Sequence, residues 1–203
     1  MTGKYVKCVS WNINGCRNPT KRRKLLSYLK SIQADIIFLQ ETHLNDGEEL
    51  RFKGGGVNHI FHSSYSSARN GVVILIKRSI RFSLIKEVKD TEGRMVCVQA
   101  LVEGVKLILC NIYAPNKEDP HFFHWINRVL GDMDGQIILA GDLNEVMDPV
   151  LDRSSSKGPI SSKGREAVHT LREDMGLIDV WRLINPSKRE YTFYSHCHKS
   201  YSR

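Results

Sequence analysis

The sequence predicts an α/β protein in which layers of sheet are covered by helices, and three features support this. Near the N-terminus, a strand, a helix and a second strand follow one another as a βαβ unit. The second strand is apolar on both faces, which requires cover on both sides of its sheet. The middle of the chain carries several strands with short turns between them, a spacing typical of an antiparallel meander.

The βαβ unit is predicted from hydrophobic periodicity. Residues 5–11 form the first strand, and residues 21–31 form a helix whose leucines share one face. Pro19 lies near the start of this helix, where proline is tolerated. Residues 35–40 form the second strand, which contains the unbroken apolar run 36–39.

The remaining elements follow from the same patterns. Strands are predicted at residues 71–77, 81–88, 94–102, 105–113, 136–140 and 191–194. Helical periodicity covers residues 122–130 and 163–175. Residues 45–56 and 154–164 are predicted to be flexible loops, although the second could also grip phosphate. The chain has the length of one domain, and we expect residues 1–203 to form it.

Charge and composition narrow the class of protein. The 203 residues include 30 Lys and Arg against 22 Asp and Glu, a net charge of +8 that favours a polyanionic partner such as nucleic acid. Many soluble proteins are simply basic, so charge alone decides little. No apolar run approaches the roughly 18 residues that cross a bilayer, and no signal peptide is evident. The five cysteines are an odd number, and three of them lie in apolar runs, where a free cysteine behaves as a small hydrophobic residue; this indicates a reducing, intracellular compartment. No pair has zinc-ligand spacing.

Polar side chains gather where the predicted strands end. These residues are Asn12, Asn14, Glu41, Tyr113, Asp142 and Asn144. Any one alone would be an ordinary turn or cap residue, but four strands that end in such groups indicate a site at one rim of a sheet. Carboxylates with amide oxygens, and no convergent thiolates, suit a hard divalent cation such as Mg²⁺.

This set of residues fits metal-assisted hydrolysis of a phosphodiester. The Tyr113 hydroxyl could donate to a phosphate oxygen, and the amides could orient a carboxylate, a water or the phosphate. A kinase is excluded because no Walker sequence is present. The glycines at 54–56 lack the lysine and hydroxyl that would have to follow, so they read as a flexible loop.

The motifs W-N-I-N-G, L-Q-E-T-H, N-I-Y-A-P-N, G-D-L-N and Y-T-F-Y-S occur in this order along essentially the whole chain. Together they resemble the endonuclease–exonuclease–phosphatase superfamily, whose members include apurinic/apyrimidinic endonucleases. They are most similar to the endonuclease domain of the second open reading frame of long-interspersed-element, non-LTR retrotransposons. The resemblance implies a four-layer αββα sandwich of two packed, mostly antiparallel sheets.

The resemblance also implies roles for individual residues. Glu41 would be the principal ligand of Mg²⁺, or of Mn²⁺ in its place, with Asn12 beside it. Asp142 would position or deprotonate the attacking water with support from Asn144, and Tyr113 would contact the phosphate. The DNA-contacting residues would be Asn116, Arg153, Thr192 and Ser202. For Thr192 a plain strand residue is the alternative, and for Asn116 a turn residue.

Histidines near the motifs invite a metal interpretation that we do not favour. His43 lies two positions after Glu41, so along an extended chain it should face a different neighbour, and Mg²⁺ prefers oxygen. His196 and His198 flank Cys197 without a second ligand pair and are expected to be loop residues. The basic run 21–24 could contact DNA or form the solvent-exposed face of a helix.

The sequence departs from the family pattern after the Y-S-R motif. The family pattern continues there into an Asp and a later Ser-Asp-His element, and neither occurs in these 203 residues. We therefore expect a C-terminally incomplete domain without the last strands of its second sheet. Such a chain should bind Mg²⁺ weakly at Glu41, bind DNA in a salt-dependent way and nick it little or not at all.

Three functions remain open at this point. The first is a DNA endonuclease that nicks double-stranded target DNA to prime reverse transcription, with a reverse transcriptase on the same polypeptide and no membrane partner. Its substrate would place it in the nucleus. The second is another phosphoesterase of the superfamily, acting on abasic DNA, RNA tails or phosphoinositides. The third is a catalytically dead fragment that only binds nucleic acid or a partner.

Overall fold

A βαβ unit opens the fold, as the sequence predicts. The computed structural model describes residues 5–155, 162–195 and 199–203. These residues form two compact units. The first unit contains the described residues up to Ala114 together with Met133–Asp142, and the second contains Pro115–Asp132 and the described residues from Leu143 onward.

The first sheet of the first unit has four strands in the order β1-β2-β4-β3. Its elements are β1 (Cys8–Asn12), helix α1 (Pro19–Ser31), β2 (Ile36–Gln40), a short 3-10 helix (Glu48–Phe52), β3 (Val57–Ser63) and β4 (Val72–Lys77). Strands β1 and β2 are parallel, and the other pairs are antiparallel. Helix α1 begins where the Asn18 side chain accepts hydrogen bonds from two backbone N–H groups, and Pro19 needs none at that position.

The second sheet also belongs to the first unit and has the order β5-β6-β7-β8. Its strands are β5 (Phe82–Lys89), β6 (Met95–Val102), β7 (Val105–Tyr113) and β8 (Gln136–Asp142). The first three form an antiparallel meander, and β8 runs parallel to β7. The two sheets are therefore mixed but mostly antiparallel.

Two apolar clusters explain why β2 carries an unbroken apolar run. Ile36 and Phe38 lie in a cluster shared with Val96 and Val98 of the second sheet. Ile37 and Leu39 point the other way, into a cluster with α1 and the 3-10 helix. Because successive side chains of a strand alternate between faces, both faces of β2 are covered. The predicted class, an α/β fold with two packed sheets, is confirmed.

The second unit is mainly helical. It contains α2 (Pro120–Gly131), α3 (Lys163–Asp174), α4 (Val180–Ile184) and a two-stranded antiparallel ribbon of β9 (Phe193–Ser195) and β10 (Ser200–Ser202). Helices α2 and α3 pack together, and Asn127 Nδ2 donates to Asp174 Oδ2 at 2.6 Å. None of the helices in the described ranges combines the length and apolar character that crossing a bilayer requires.

Two predictions about the first unit are wrong. The strand predicted at 71–77 does not continue into the meander, because β4 pairs with β2 and β3 of the other sheet. A short turn does not reveal such a change of sheet. The stretch 45–56 is not simply a flexible loop, since it contains the 3-10 helix, whose Phe52 is fully buried. In the second predicted loop, residues 156–161 lie outside the described residues, and α3 begins at Lys163.

Candidate functional site

The ends of four strands place the predicted site residues of the first unit. Asn12 ends β1, in register with Gln40 of the parallel strand β2, and Glu41 follows Gln40 directly. Tyr113 and Asp142 end the parallel strands β7 and β8 and stand opposite each other. Strands β1 and β8 also contact each other. The carboxyl ends of two parallel pairs therefore meet, where sites in such sheets usually form.

Asn12 joins the two predicted carboxylates. Its side-chain nitrogen donates to Glu41 Oε1 at 2.7 Å and to Asp142 Oδ2 at 2.9 Å. Its oxygen accepts a hydrogen bond from the backbone N–H of Asn14 at 3.1 Å, which fixes the amide. All three side chains of the cluster are half-buried. The fold thus brings together two carboxylates that lie 101 residues apart in the sequence (142 − 41), and the Asn12 amide donates to both.

The backbone around Glu41 is strained. Asn14, Glu41 and His43 have positive φ angles of 43°, 53° and 52°, which non-glycine residues rarely adopt. Neighbouring segments hold this conformation, since Thr42 N–H donates to Gly71 O and His43 N–H donates to Asn70 O, both at 3.0 Å. Strained backbone that neighbouring segments hold in place is typical of functional sites.

His43 does not face a different neighbour, so that prediction is wrong. Its Nε2 lies 3.3 Å from Glu41 Oε2. The reason is the pair of left-handed residues, which curls the chain where the prediction assumed an extended one. The ring also lies over Gly15, where an added Cβ would come within 2.9 Å of His43 Nδ1. Asn12 and His43 therefore contact different oxygens of the same carboxylate.

Gly141 allows Asp142 to lie where it does. Its φ of +143° is in a region that side chains disfavour, and an added Cβ would collide with the carbonyl oxygen of Ile112 on the neighbouring strand. Ala114 N–H then donates to the carbonyl oxygen of Asp142 at 2.8 Å. The glycine of the G-D-L-N motif is thus required because no side chain fits against the neighbouring strand, and it allows the carboxylate to lie at the strand end.

Behind the site lies a buried amide pair that the sequence reasoning did not single out. Gln40 Nε2 donates to Asn111 Oδ1 at 2.7 Å, and Asn111 Nδ2 donates to the carbonyl oxygens of Leu39 and Val73, both at 2.9 Å. Both side chains are buried. They link β7 of the second sheet to β2 and β4 of the first, directly behind Glu41. An asparagine within the apolar run 107–112 was the available signal.

Tyr113 is almost entirely buried, with 6% of its surface exposed. Its backbone N–H donates to Arg94 O at 2.8 Å, and the Arg94 Nη1 donates back to Tyr113 O at 3.3 Å. The Arg94 guanidinium carbon lies 5.5 Å from the centre of the tyrosine ring. Arg94, which the sequence analysis did not consider, therefore supports the residue expected to contact phosphate.

In the second unit, Asn116 and Asn144 are paired. Asn144 Nδ2 donates to Asn116 Oδ1 at 3.0 Å, and both residues are exposed. Asn144 has a φ of 49°, another left-handed position at a non-glycine residue. The two predicted amides are thus neighbours.

The other predicted DNA-contacting residues also lie together in the second unit. Arg153 forms an isolated antiparallel bridge with Ser202. The backbone N–H of Thr192 donates to the Ser202 carbonyl oxygen at 3.0 Å, and Thr192 is exposed just before β9. The carbonyl oxygen of Arg153 accepts a hydrogen bond from Arg189 Nη2 at 2.9 Å. We call Arg153, Thr192 and Ser202 the Arg153 surface.

Buried ion pairs support the Arg153 surface. Asp152, only 1% exposed, accepts hydrogen bonds from Arg182 Nη2 and, at 3.0 Å, from Arg203 Nε. Arg203 also pairs with Asp179. Burial opposes ionisation of Asp179, but the hydrogen bond from Arg203 and one from a backbone N–H outweigh it and lower its pKa. Trp181 lies against both guanidinium groups, 4.9 Å from that of Arg182 and 4.5 Å from that of Arg203. The predicted His196 and His198 fall outside the described residues.

Comparison with known proteins finds similarity in both sequence and structure. Residues 9–196 match the family described as the Endonuclease/Exonuclease/phosphatase family. An AP endonuclease from Archaeoglobus fulgidus has a similar structure, with a TM-score of 0.71 and 27% identity over 95% of this chain and 79% of that one. The exodeoxyribonuclease of Bacillus subtilis is 28% identical over 94% of this chain and 81% of its own length.

Two relatives come from mobile elements. The transposon TX1 uncharacterized 149 kDa protein of Xenopus laevis is 30% identical over 90% of this chain. The RNA-directed DNA polymerase from the mobile element jockey of Drosophila funebris is 24% identical over 71% of it. This chain spans only 14% and 15% of these two relatives.

Proposed function

We propose that this chain, which belongs to the endonuclease/exonuclease/phosphatase family, is the magnesium-dependent endonuclease domain of a retrotransposon and nicks double-stranded DNA to prime reverse transcription. The family, the fold and the assignment to hydrolytic nucleases that the sequence predicted are confirmed. The observation that carries the proposal is the single Asn12 amide that hydrogen-bonds both Glu41 and Asp142.

The donor groups of this cluster fit a hard divalent cation. Two carboxylates and an amide converge, and no thiolate of a described residue is among them. Glu41 would hold the ion. Asn12 would join it as a ligand if its amide turned to present Oδ1 to the ion, since the nitrogen now faces the carboxylates. When bound, Mg²⁺ would polarise the phosphate and stabilise charge on the departing oxygen.

The protein groups supply the rest of the chemistry. Asp142 would accept a proton from a water whose oxygen attacks phosphorus, while the bond from phosphorus to the 3′ oxygen breaks. The 3′ oxygen takes up a proton from solvent and becomes a hydroxyl, which a polymerase can extend. The phosphate stays on the 5′ side with the oxygen of the water, and Asp142 returns its proton to solvent. His43 and Asn12 would keep Glu41 oriented, and Tyr113 would donate to a phosphate oxygen.

Residues of the second unit would bind the DNA. The proposal assigns phosphate or groove contacts to Asn116, Arg153, Thr192 and Ser202, and support of the attacking water to Asn144. It draws on the motifs that contain these residues and on the net charge of +8. The larger polypeptide would carry the reverse transcriptase, as the name of the jockey relative suggests. Such a protein would act inside the cell, on nuclear DNA.

The test is nicking of supercoiled plasmid at an excess of protein over DNA, with Mg²⁺ or with a chelator. We expect slow relaxation that requires Mg²⁺, leaves ends that a DNA polymerase extends, and falls by at least about 100-fold in Glu41→Gln. Glu87→Gln, at an exposed carboxylate on β5, is the matched control. Equal nicking by the wild type and Glu41→Gln would contradict the proposal, as would DNA binding without turnover at any protein concentration.

A second candidate is an abasic-site endonuclease, which the similarity to the Archaeoglobus fulgidus AP endonuclease favours. Two duplex oligonucleotides that differ only in one abasic site distinguish the candidates. The retrotransposon proposal expects similar cleavage of both duplexes. Cleavage confined to the abasic duplex would replace that proposal with the second one.

A further inference from the structure

A second group of metal-ligating side chains lies in the first unit, apart from Glu41 and Asp142. Asp46 precedes the 3-10 helix, Glu49 belongs to its first turn, and His62 lies on β3. One donor atom from each residue lies within 4.8 Å of those of the other two. The nuclease proposal assigns no role to these three residues.

The Glu49 carboxylate is buried, which is unusual for a charged side chain without a full set of partners. Only 8% of it is exposed, and its Oε1 lies 3.5 Å from His62 Nε2. Its other oxygen, Oε2, is buried and has no hydrogen-bond partner in the described part of the chain. A buried carboxylate oxygen without a partner is costly, and an unfilled ion or water site is one of the few explanations for it.

The nearest basic side chain in sequence does not neutralise Glu49. Arg51 Nη2 instead contacts Glu48 Oε1 at 2.6 Å. In the described residues the ionisable side chain that approaches Glu49 is instead His62, so a bound cation would meet no competing basic group of this helix.

The second ring nitrogen of His62 has its own partners. Nδ1 lies 3.2 Å from the Ser64 hydroxyl oxygen and 3.8 Å from Asp46 Oδ1. In the tautomer that donates its Nδ1 proton to Ser64, the lone pair of Nε2 faces the Glu49 carboxylate, and the two groups can bind one cation between them. A hydrogen bond at the other ring nitrogen is the usual support of a metal-binding histidine.

We infer that Asp46, Glu49 and His62 bind a divalent transition-metal ion such as Zn²⁺. One imidazole nitrogen with two carboxylates is a mixed ligand set that suits zinc better than magnesium, which prefers oxygen alone. The Asp46 side chain is 89% exposed, so it can rotate inward to bring its oxygen to bonding distance. The ion would tie the 3-10 helix to β3.

The test is a titration of the whole chain with Zn²⁺, and in parallel with Co²⁺ read by its visible absorption. Millimolar Mg²⁺ is present to occupy oxygen-only sites. We expect one equivalent to bind, with affinity lowered at least about tenfold in Asp46→Asn, Glu49→Gln and His62→Asn. Glu48→Gln and His59→Asn, which change a neighbouring glutamate and a histidine of the same strand, should retain wild-type affinity.

Three results would overturn the inference. They are the absence of stoichiometric binding, an affinity unchanged in Asp46→Asn, and nitrogen chemical shifts of a doubly protonated His62 that Zn²⁺ does not alter. Because Asp46 is exposed, its replacement leaves the core intact, so the test remains decisive if a buried variant fails to fold. The readout is metal binding, so it is independent of whether the chain nicks DNA.

Discussion

Asn12, Glu41 and Asp142, which we call the catalytic cluster because the proposed function assigns the chemistry to them, are held in place by different means from the Arg153 surface. Asn12 and Asp142 stand at the ends of long, paired strands, and Glu41 directly follows one. The Arg153 surface is built from two three-residue strands and an isolated bridge, with the charged side chains around Asp152 beneath it. Long main-chain ladders thus fix the first group, whereas the second depends on a short ribbon and a bridge together with side-chain ion pairs.

This difference predicts how each region responds to substitution. Replacing a carboxylate of the catalytic cluster should remove chemistry and leave the fold intact, because the strands do not depend on that side chain. Replacing a charge beneath the Arg153 surface should disturb the local structure, because few backbone hydrogen bonds remain to hold it.

The largest expected loss of stability is at Asp152. Asp152→Ala leaves the guanidinium groups of Arg182 and Arg203 without their shared carboxylate, and breaking such a buried pair costs about 3 kcal/mol. Urea unfolding measures the change. Asp134→Ala, which removes an exposed ion pair with Lys106, should cost less than about 0.5 kcal/mol. Equal losses in the two variants would show that the Asp152 network is not what supports this region.

The next largest loss is at the amide pair behind the catalytic cluster. Asn111→Leu removes the shorter hydrogen bond of the Gln40 amide, which keeps only Ser10 Oγ at 3.2 Å, and leaves the carbonyl oxygens of Leu39 and Val73 without the Asn111 donor, so it should lower the free energy of unfolding by about 2 kcal/mol. It should also weaken metal binding, because Gln40 directly precedes Glu41. Gln99→Leu removes a comparable hydrogen bond, from Gln99 to the carbonyl oxygen of Asp134, and should leave metal affinity unchanged. Calorimetry with Mn²⁺ compares the two variants, and an unaltered affinity in Asn111→Leu would argue against a positioning role.

A smaller change in free energy is expected when a residue of the Arg153 surface is replaced and DNA binding is measured. Arg153→Ala should weaken binding to duplex DNA by about 1 kcal/mol and reduce the slope of log affinity against log salt by about one. Fluorescence anisotropy over a range of salt concentrations gives both values. Arg78→Ala, at an exposed arginine of the first unit, is the charge-matched control. The same loss in both variants would indicate a general charge effect without a defined surface.

The smallest effect is on the dependence of stability on pH. The pKa of Asp179 is lowered in the folded chain, so its ion pair stabilises the fold above the usual value of 3.8 and ceases to do so as the pH falls through the lower folded value. Between neutral pH and pH values below 3.8, the melting temperature of the wild type should therefore fall more than that of Asp179→Asn. Identical pH profiles would show that the pair adds nothing to stability.

The sequence predicted most of the strands and the polar residues at their ends, but it missed β3 and β10 and the contacts that depend on long-range geometry. The run 36–39 predicted a doubly covered strand because alternation carries that information. The contact between His43 and Glu41 was missed because it depends on left-handed residues that are not glycine. The Asp152 network was missed because its partners come from residues 182 and 203, which no local pattern connects. Likewise, the chain passes from the first sheet to the second between β4 and β5, through a turn that resembles the turns within the meander.

The most direct test of the account is metal binding at the catalytic cluster. Titration of the chain with Mn²⁺, followed by electron paramagnetic resonance, counts the ions bound and gives their affinity. We predict that Glu41→Gln weakens this site by at least about tenfold, because Glu41 holds the ion, and that Asp142→Asn weakens the same site less, because its carboxylate lies beside the ion through Asn12 and acts on the water. A site whose affinity is unchanged in Glu41→Gln, or depends more on Asp142 than on Glu41, would contradict this account of the cluster.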